Sequence, residues 1–113
     1  MRKAGLIVAG AVLCWSAAAF AAEQTLTGTI SDSRCGATHK AMQEHNKDLT
    51  DRNCTDACVK GGAKYIFASG GKIYTFENQN DPALAMNSGQ SVSVTGELRG
   101  NTIVASKISK SKS

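Results

Sequence analysis

Proline, aromatic residues and charge are all scarce in this chain. Its 113 residues include a single Pro, 5% aromatic and 19% charged residues, whereas 42% are hydrophobic. A disordered chain would be poorer in apolar residues and richer in charge, so the composition indicates a globular protein. A chain of this length forms at most one small domain with a thin core. This excludes a large multi-step enzyme and any function that needs two domains.

Long hydrophobic runs are missing except at the N-terminus. A basic start at Arg2 and Lys3 precedes an apolar stretch, which ends in the A-x-A pattern Ala19-Phe20-Ala21. Charged start, apolar middle and small-residue end are the three parts of a secretory signal peptide. The sequence therefore predicts a signal peptide at 1–21, cleaved near Ala21, and a periplasmic or secreted protein.

The same segment has two other interpretations. An uncleaved membrane anchor needs ~20 apolar residues, which the run barely supplies, and its small-residue end favours cleavage. A lipidated Cys14 would make the protein a lipoprotein. However, Leu13 precedes this cysteine where a lipobox has a small residue. We expect Cys14 to leave with the signal peptide and the mature chain to have no stable membrane span.

A strong excess of one charge is missing as well. Without residues 1–21, 11 Lys and Arg face nine Asp and Glu, so the net charge falls from +4 to +2. Nucleic-acid binding depends on many phosphate contacts, so we expect no nucleic-acid partner. Lysines separated by serines end the chain and predict a flexible basic tail at 107–113 after a domain at 22–106, in preference to an anion-binding or surface-attaching tail.

The alternation of apolar and polar residues predicts a mainly β protein. Helical signals occur between the first two strands and at Asp81-Pro82, an N-cap followed by Pro at the first helical position. Five strands with a helix between the third and fourth follow the order of an OB-fold, so we predict a small five-stranded OB-like barrel with a helical, cysteine-bearing insertion between strands 1 and 2. An open five-stranded sheet with one helical layer is the alternative. The predicted strands are 25–30, 64–69, 72–76, 90–98 and 102–108.

The second and third strands flank Gly70-Gly71, which predicts a two-residue hairpin turn with positive φ. In that register the aromatic residues share one face. Such a face could stack on bases or sugars, but a domain this thin needs its largest side chains inside, so we expect them in the core. They are Tyr65, Phe67, Tyr74 and Phe76.

One segment carries a recognisable motif. Asp32-x-x-Cys35-Gly36-x-x-His39 is followed by Cys54-x-x-x-Cys58-Val-Lys. This pattern resembles that of a family of small secreted bacterial proteins of unknown function, D-x-x-C-G-x-x-H … C-x-x-x-C-V-K-x-G-x-K-Y. The resemblance implies an OB-like barrel and marks the same cysteines and histidine, but it implies no established activity.

The spacing of these residues predicts a metal site. Cys35 and His39 are four residues apart, as are Cys54 and Cys58. Residues at i and i+4 share a face of a helix, so two facing helical turns would bring all four side chains together. A Cys3His set suits tetrahedral zinc, and thiolates also suit Cu(I). His45 lies in a polar stretch, where a solvated surface histidine is expected.

A disulfide is the alternative use of the same cysteines. Small exported domains stabilise thin cores with disulfides. A bond from Cys35 to Cys54 or Cys58 closes a loop of roughly twenty residues and could contribute ~3 kcal/mol, whereas a Cys54–Cys58 bond would constrain little. We expect one disulfide that includes Cys35. The remaining thiol would be exposed and reactive, or near His39, where an imidazolium would lower its pKa.

Catalytic motifs are missing. There is no C-x-x-C, no C-x-x-C-H and no G-x-S-x-G, and the glycine pairs are explained by a helix end and a hairpin. Capping the next segment is the expected role of Asp32, with orientation of His39 as the alternative. The sequence predicts a non-enzymatic module that binds a metal ion or small ligand, or a disulfide-stapled structural or interaction domain without a ligand.

Overall fold

The computed structural model describes residues 22–111, so the predicted signal peptide lies outside the described residues. In the described part, no helix is long and apolar enough to cross a membrane. Within residues 22–111, five strands and three short helices follow one another. They are β1 (Gln24–Asp32), α1 (Lys40–His45), α2 (Asp51–Lys60), β2 (Tyr65–Ser69), β3 (Lys72–Phe76), α3 (Pro82–Met86), β4 (Ser91–Arg99) and β5 (Thr102–Lys110).

The five strands close in a ring in the order β1-β2-β3-β5-β4. Neighbouring strands are antiparallel except β3 and β5, which pair in parallel through Thr75 with Thr102 and Phe76 with Ile103. The ring closes because β1 pairs with both β2 and β4. This is the predicted OB-like arrangement, with the helical insertion between β1 and β2. The alternative of an open sheet is wrong.

The predicted hairpin forms as expected. Gly70 and Gly71 have φ values of 58° and 79°, a conformation that glycine adopts without steric cost. The turn sets Phe67 opposite Tyr74, and all four aromatic side chains of the two strands are buried in the core. The Phe67 ring lies 5.9 Å from the ring of Phe76, centroid to centroid. The aromatic face is therefore core and not a surface for stacking bases or sugars.

Strand β1 bends at its centre and changes partner. Its first part pairs with β4 up to Thr29, and its second part pairs with β2 from Thr29 onward. Gly28 precedes this change, and a Cβ at its position would lie 2.2 Å from the carbonyl oxygen of Ala68. Only glycine lets the two strands approach this closely, which is a common reason for a glycine inside a strand.

The C-terminal boundary of the domain lies later than predicted. Strand β5 continues to Lys110, which pairs with Val92. The predicted last strand, 102–108, therefore continues two residues further, into the segment 107–113 that the sequence also assigned to a flexible tail. The physical reason is that β4 offers hydrogen-bonding partners along its whole length, so the lysines can point outward from an ordered edge.

Helix α2 is connected to α3 by its first turn. The Thr50 hydroxyl caps the helix by accepting from the backbone N–H of Asn53. The guanidinium of Arg52 donates to the carbonyl oxygens of Met86 and Ala85 at the end of α3. The polar stretch before Cys54 therefore contains the start of a helix.

The buried hydroxyl of Thr55 provides a stability test of this packing. It lies in α2, is fully buried, and has no hydrogen-bond partner among residues 22–111. Valine has nearly the same shape without the desolvation cost of an unpaired hydroxyl. Thr55→Val should therefore leave the free energy of unfolding unchanged or raise it by up to ~1 kcal/mol. In the control, Thr50→Val removes the cap and should cost ~1 kcal/mol. Urea unfolding of both variants checks this, and a clear loss for Thr55→Val contradicts it.

Candidate metal centre

The centre begins at the end of β1, where the carboxylate of Asp32 shapes the turn that follows. Its Oδ1 accepts the backbone N–H groups of Arg34, at 3.0 Å, and of Cys35, at 2.9 Å. The next residue, Gly36, has a φ of 71° and donates its N–H to the carbonyl oxygen of Asp32. These bonds reverse the chain and hold Cys35 above the carboxylate. Cys35 therefore lies in a turn and not on the helix that the sequence predicted.

His39 is held between two carboxylates. It occupies the N-cap position of α1 with only 3% of its surface exposed. Its Nε2 lies 2.7 Å from Oδ2 of the fully buried Asp32, and its Nδ1 lies 3.2 Å from Oδ1 of Asp51, the first residue of α2. Carboxylate oxygens only accept, so both contacts are hydrogen bonds when both ring nitrogens carry a proton. The imidazole of His39 therefore links the end of β1 to the start of α2.

Three side chains converge at this point. Ligand atoms of Asp32, Cys35 and His39 all lie within 4.8 Å of one another. In a tetrahedral zinc site, with bonds of ~2.0–2.3 Å, ligand atoms are roughly 3.3–3.7 Å apart. A small movement of the imidazole would therefore admit an ion in place of its proton. Thiolate, imidazole and carboxylate are all zinc ligands, so this buried group could hold a metal ion.

The other two cysteines lie on α2. Cys54 and Cys58 are both buried on one face of the helix, as their spacing predicted, but neither belongs to the converging group of three. Of the two, the Cys58 thiol raises the pKa of Cys35 more than the Cys54 thiol does. Of the four predicted ligands, Cys35 and His39 belong to the converging group. The complete Cys3His site stays a prediction.

Burial raises the pKa of the Cys35 thiol to about 11, and the charge of Asp32 and the thiols of Cys58 and Cys54 add to the shift. Burial also raises the pKa of Cys54, with the charges of its neighbours Cys58 and Asp51 acting in the same direction. The sequence predicted that a single thiol left near His39 by a disulfide would have a lowered pKa. All three thiols are free in the described residues, and the pKa of Cys35, the one grouped with His39, is raised instead, because burial comes first among the causes and the charge of Asp32 acts in the same direction.

The predicted disulfide is not formed in the structure. Cys35, Cys54 and Cys58 are free thiols in the described part of the chain. Cys35 lies in the turn after β1 and is partly buried, whereas Cys54 and Cys58 are buried on α2.

Two residues that sequence analysis left outside the site belong to it. Asp32 was predicted chiefly to cap the following segment. It does so through Oδ1, and it also holds His39 through Oδ2. The available signal was the first position of the D-x-x-C-G-x-x-H motif. Asp51 gave no signal, because it lies in a stretch that reads as a loop. His45 is exposed at the end of α1, as expected.

A pocket opens beside the centre. It has a volume of about 320 Å³, and Cys35 and His39 form part of its wall. The remainder of the wall comes from the turn after β1 and from α1. A second pocket, of about 290 Å³, lies at the β2–β3 turn and contains none of the candidate ligands. The full lining of the first pocket is Arg34, Cys35, Thr38, His39, Ala41 and Met42.

A scan against protein-family models, a search of curated proteins and a search of solved structures each returned no match to this chain. The resemblance to small secreted bacterial proteins therefore stays a prediction. The functional argument depends on the geometry of the site.

Acid should destabilise the metal-free protein through Asp32. Burial alone would raise the pKa of this carboxyl, but hydrogen bonds from His39 and from the N–H groups of Cys35 and Arg34 outweigh it and lower the pKa below 3.8. The ionised carboxylate of Asp32 contributes its full stabilisation above about pH 4, the pKa of an aspartate in the unfolded chain. This stabilisation is lost as the pH falls through the lower pKa of Asp32 in the folded protein. Urea unfolding of chelator-treated protein between pH 5 and pH 2 should show a steeper loss for the wild type than for Asp32→Asn. If the free energy of unfolding falls with pH equally in the wild type and in Asp32→Asn, the expectation is wrong.

Proposed function

We propose that this protein is an exported, non-enzymatic module that binds one metal ion, zinc or copper, through Asp32, Cys35 and His39. The observation that carries the proposal is the convergence of three different donor groups within 4.8 Å. Two of them, Asp32 and His39, are buried. A buried carboxylate and imidazole are costly unless they are paired or bind a cation. Export is supported by the signal-peptide pattern at 1–21, which fits a periplasmic or secreted protein.

The geometry favours binding over catalysis by a cysteine nucleophile. Such catalysis needs a histidine nitrogen free to take the thiol proton. Both ring nitrogens of His39 face carboxylates instead. The raised pKa of Cys35, about 11, keeps its sulfur protonated at neutral pH, where a nucleophile requires a thiolate. A bound metal ion would displace that proton, since thiolate is the form that binds metals.

Metal titration of purified protein tests the proposal. The protein, expressed from the whole 113-residue sequence, should bind one Zn²⁺ per chain after chelator treatment under reducing conditions. Cys35→Ser should weaken binding by about 100-fold or more, as expected for loss of a metal ligand when even supporting residues are worth 10–100-fold. His45→Gln is the matched control for His39→Gln, because His45 is exposed and outside the group. Retention of wild-type affinity by both Cys35→Ser and His39→Gln would contradict the proposal, as would no binding by the wild type.

The second candidate is a disulfide-stapled structural or interaction domain without a ligand. The three free cysteines of the described residues, one in the turn after β1 and two on α2, favour it. Two thiols would lose two electrons and two protons to a disulfide oxidant, which becomes two thiols, and the new bond would connect the turn after β1 to α2. Closing this loop would stabilise the folded protein by ~3 kcal/mol, because it restricts the unfolded chain. Non-reducing peptide mapping of exported protein separates the candidates. A Cys35–Cys58 peptide favours the staple, and free thiols that appear only after chelation favour the metal site.

A further inference from the structure

Met42 is a sulfur-bearing residue beside the candidate centre. It lies in α1 with 47% of its surface exposed. It lines the pocket of about 320 Å³ whose wall also contains Cys35 and His39. Met42 follows the N-cap His39 by three residues, a spacing that places two positions on the same side of a helix. A thioether-bearing, an imidazole-bearing and a thiol-bearing residue therefore line one pocket.

This combination of donors discriminates between metals. Zinc sites in proteins are built from Cys, His and carboxylate ligands, and a thioether adds little to them. Copper in its Cu(I) state accepts soft thiolate and thioether sulfur, and Cys, His and Met recur together in copper sites. The pocket lies beside the centre, so a side chain from its wall can add a soft sulfur ligand to an ion held by Cys35 and His39, the two members of the group whose donors suit Cu(I).

We infer that the metal is Cu(I) and that Met42 is an additional ligand, which approaches from the pocket. This inference rests on the proposed function, because it assigns the metal class and a further ligand to the same centre. It involves no redox step: Cu(I) binds as Cu(I), and the Cys35 proton passes to solvent as the thiolate forms.

Competition with a chromophoric Cu(I) chelator tests the inference on protein expressed from the whole sequence, without oxygen and with ascorbate present. Met42→Leu keeps the size and apolar character of the side chain but removes the sulfur. We expect it to weaken Cu(I) binding about tenfold or more and to leave Zn²⁺ affinity within about twofold of the wild type. Met86→Leu is the matched control, because Met86 is 69% exposed in α3 and outside the pocket. X-ray absorption of the Cu(I) protein should show one sulfur fewer around copper in Met42→Leu than in Met86→Leu.

The outcomes separate the inference from the proposed function. If Met42→Leu binds Cu(I) as tightly as Met86→Leu and has the same sulfur count, Met42 is no ligand and the inference is wrong. The metal site then stands as long as Cys35→Ser abolishes binding. If the dissociation constant of the wild type is lower for Zn²⁺ than for Cu(I), the assignment of copper is wrong. If the wild type binds neither ion, the proposed function fails and the inference fails with it.

Discussion

Replacing Asp32 with alanine should lower the free energy of unfolding by ~3–5 kcal/mol, the range for removing one partner from a buried pair of an acid and a base. The carboxylate is fully buried and accepts three hydrogen bonds, from two backbone N–H groups and from His39. Alanine would leave the buried imidazole of His39 without its partner at Nε2 and would remove the acceptor of two part-buried N–H groups. Small domains have total stabilities of ~5–15 kcal/mol, so the variant should be partly unfolded at 37 °C. Urea unfolding of chelator-treated protein at pH 7 measures the loss.

Two further variants separate the ionic role from the shaping of the turn. Asp32→Asn keeps an oxygen for the N–H groups of Arg34 and Cys35 but places a neutral group beside His39. Its free energy of unfolding should therefore lie between that of the wild type and that of Asp32→Ala. Asp48→Ala removes an exposed carboxylate from the same insertion and should change the free energy by less than ~0.5 kcal/mol. If Asp32→Ala is as stable as Asp48→Ala, the buried pair does not hold the insertion to the ring.

The elements that could be predicted from the sequence are those with local signals. Gly70-Gly71 dictates its own turn, and the strands on either side alternate, so register and core face follow from a few residues. Asp81 and Pro82 likewise mark the start of α3, where the Asp81 side chain accepts from the N–H of Ala83 as expected. The order of these elements sufficed to predict ring closure, because few topologies connect five short strands with one helix between the third and fourth.

The start of α2 was hard to predict because its first turn is polar, without the apolar periodicity that identifies a helix. One local signal was present, since Thr50 caps the helix by accepting from the N–H of Asn53. The other contact of this turn is not local: Arg52 donates to the carbonyl groups at the end of α3, more than thirty residues away. The contact of Asp51 with His39, twelve residues earlier, likewise had no local sign.

The site was predicted in part, and for a partly wrong reason. Cys35 and His39 do lie together, but not as neighbours on a helix. Gly36, with its positive φ, reverses the chain between them, and Asp32 draws both toward its carboxylate. The i, i+4 rule assumed a regular helix where the sequence holds an aspartate-centred turn. A short-range hydrogen bond of this kind competes with helix formation.

Replacing Gly89 with alanine should be among the most damaging changes in the protein, although the residue lies outside the candidate site. Gly89 has a φ of 71°, and a Cβ there would lie 2.4 Å from the backbone nitrogen of Arg52 and 2.6 Å from the carbonyl carbon of Asp51. Left-handed backbone costs a side chain ~1–2 kcal/mol. Overpacking against backbone that cannot rotate away costs a further ~1–3 kcal/mol. We expect Gly89→Ala to lower the free energy of unfolding by roughly 3–5 kcal/mol in urea unfolding.

The matched control is Gly100→Ala. Gly100 has nearly the same backbone conformation, with a φ of 60°, but no atom lies within 4 Å of its potential Cβ. Gly100→Ala should therefore lower the free energy of unfolding only by the ~1–2 kcal/mol of backbone strain. The difference in free energy between the two variants then measures the contact of Gly89 with α2. Because that contact positions Asp51 against His39, Gly89→Ala should also weaken metal binding under conditions where it remains folded, and Gly100→Ala should not. Equal losses of stability in the two variants would show that α2 can move away from β4 at little cost, and that the first turn of α2 does not fix the histidine.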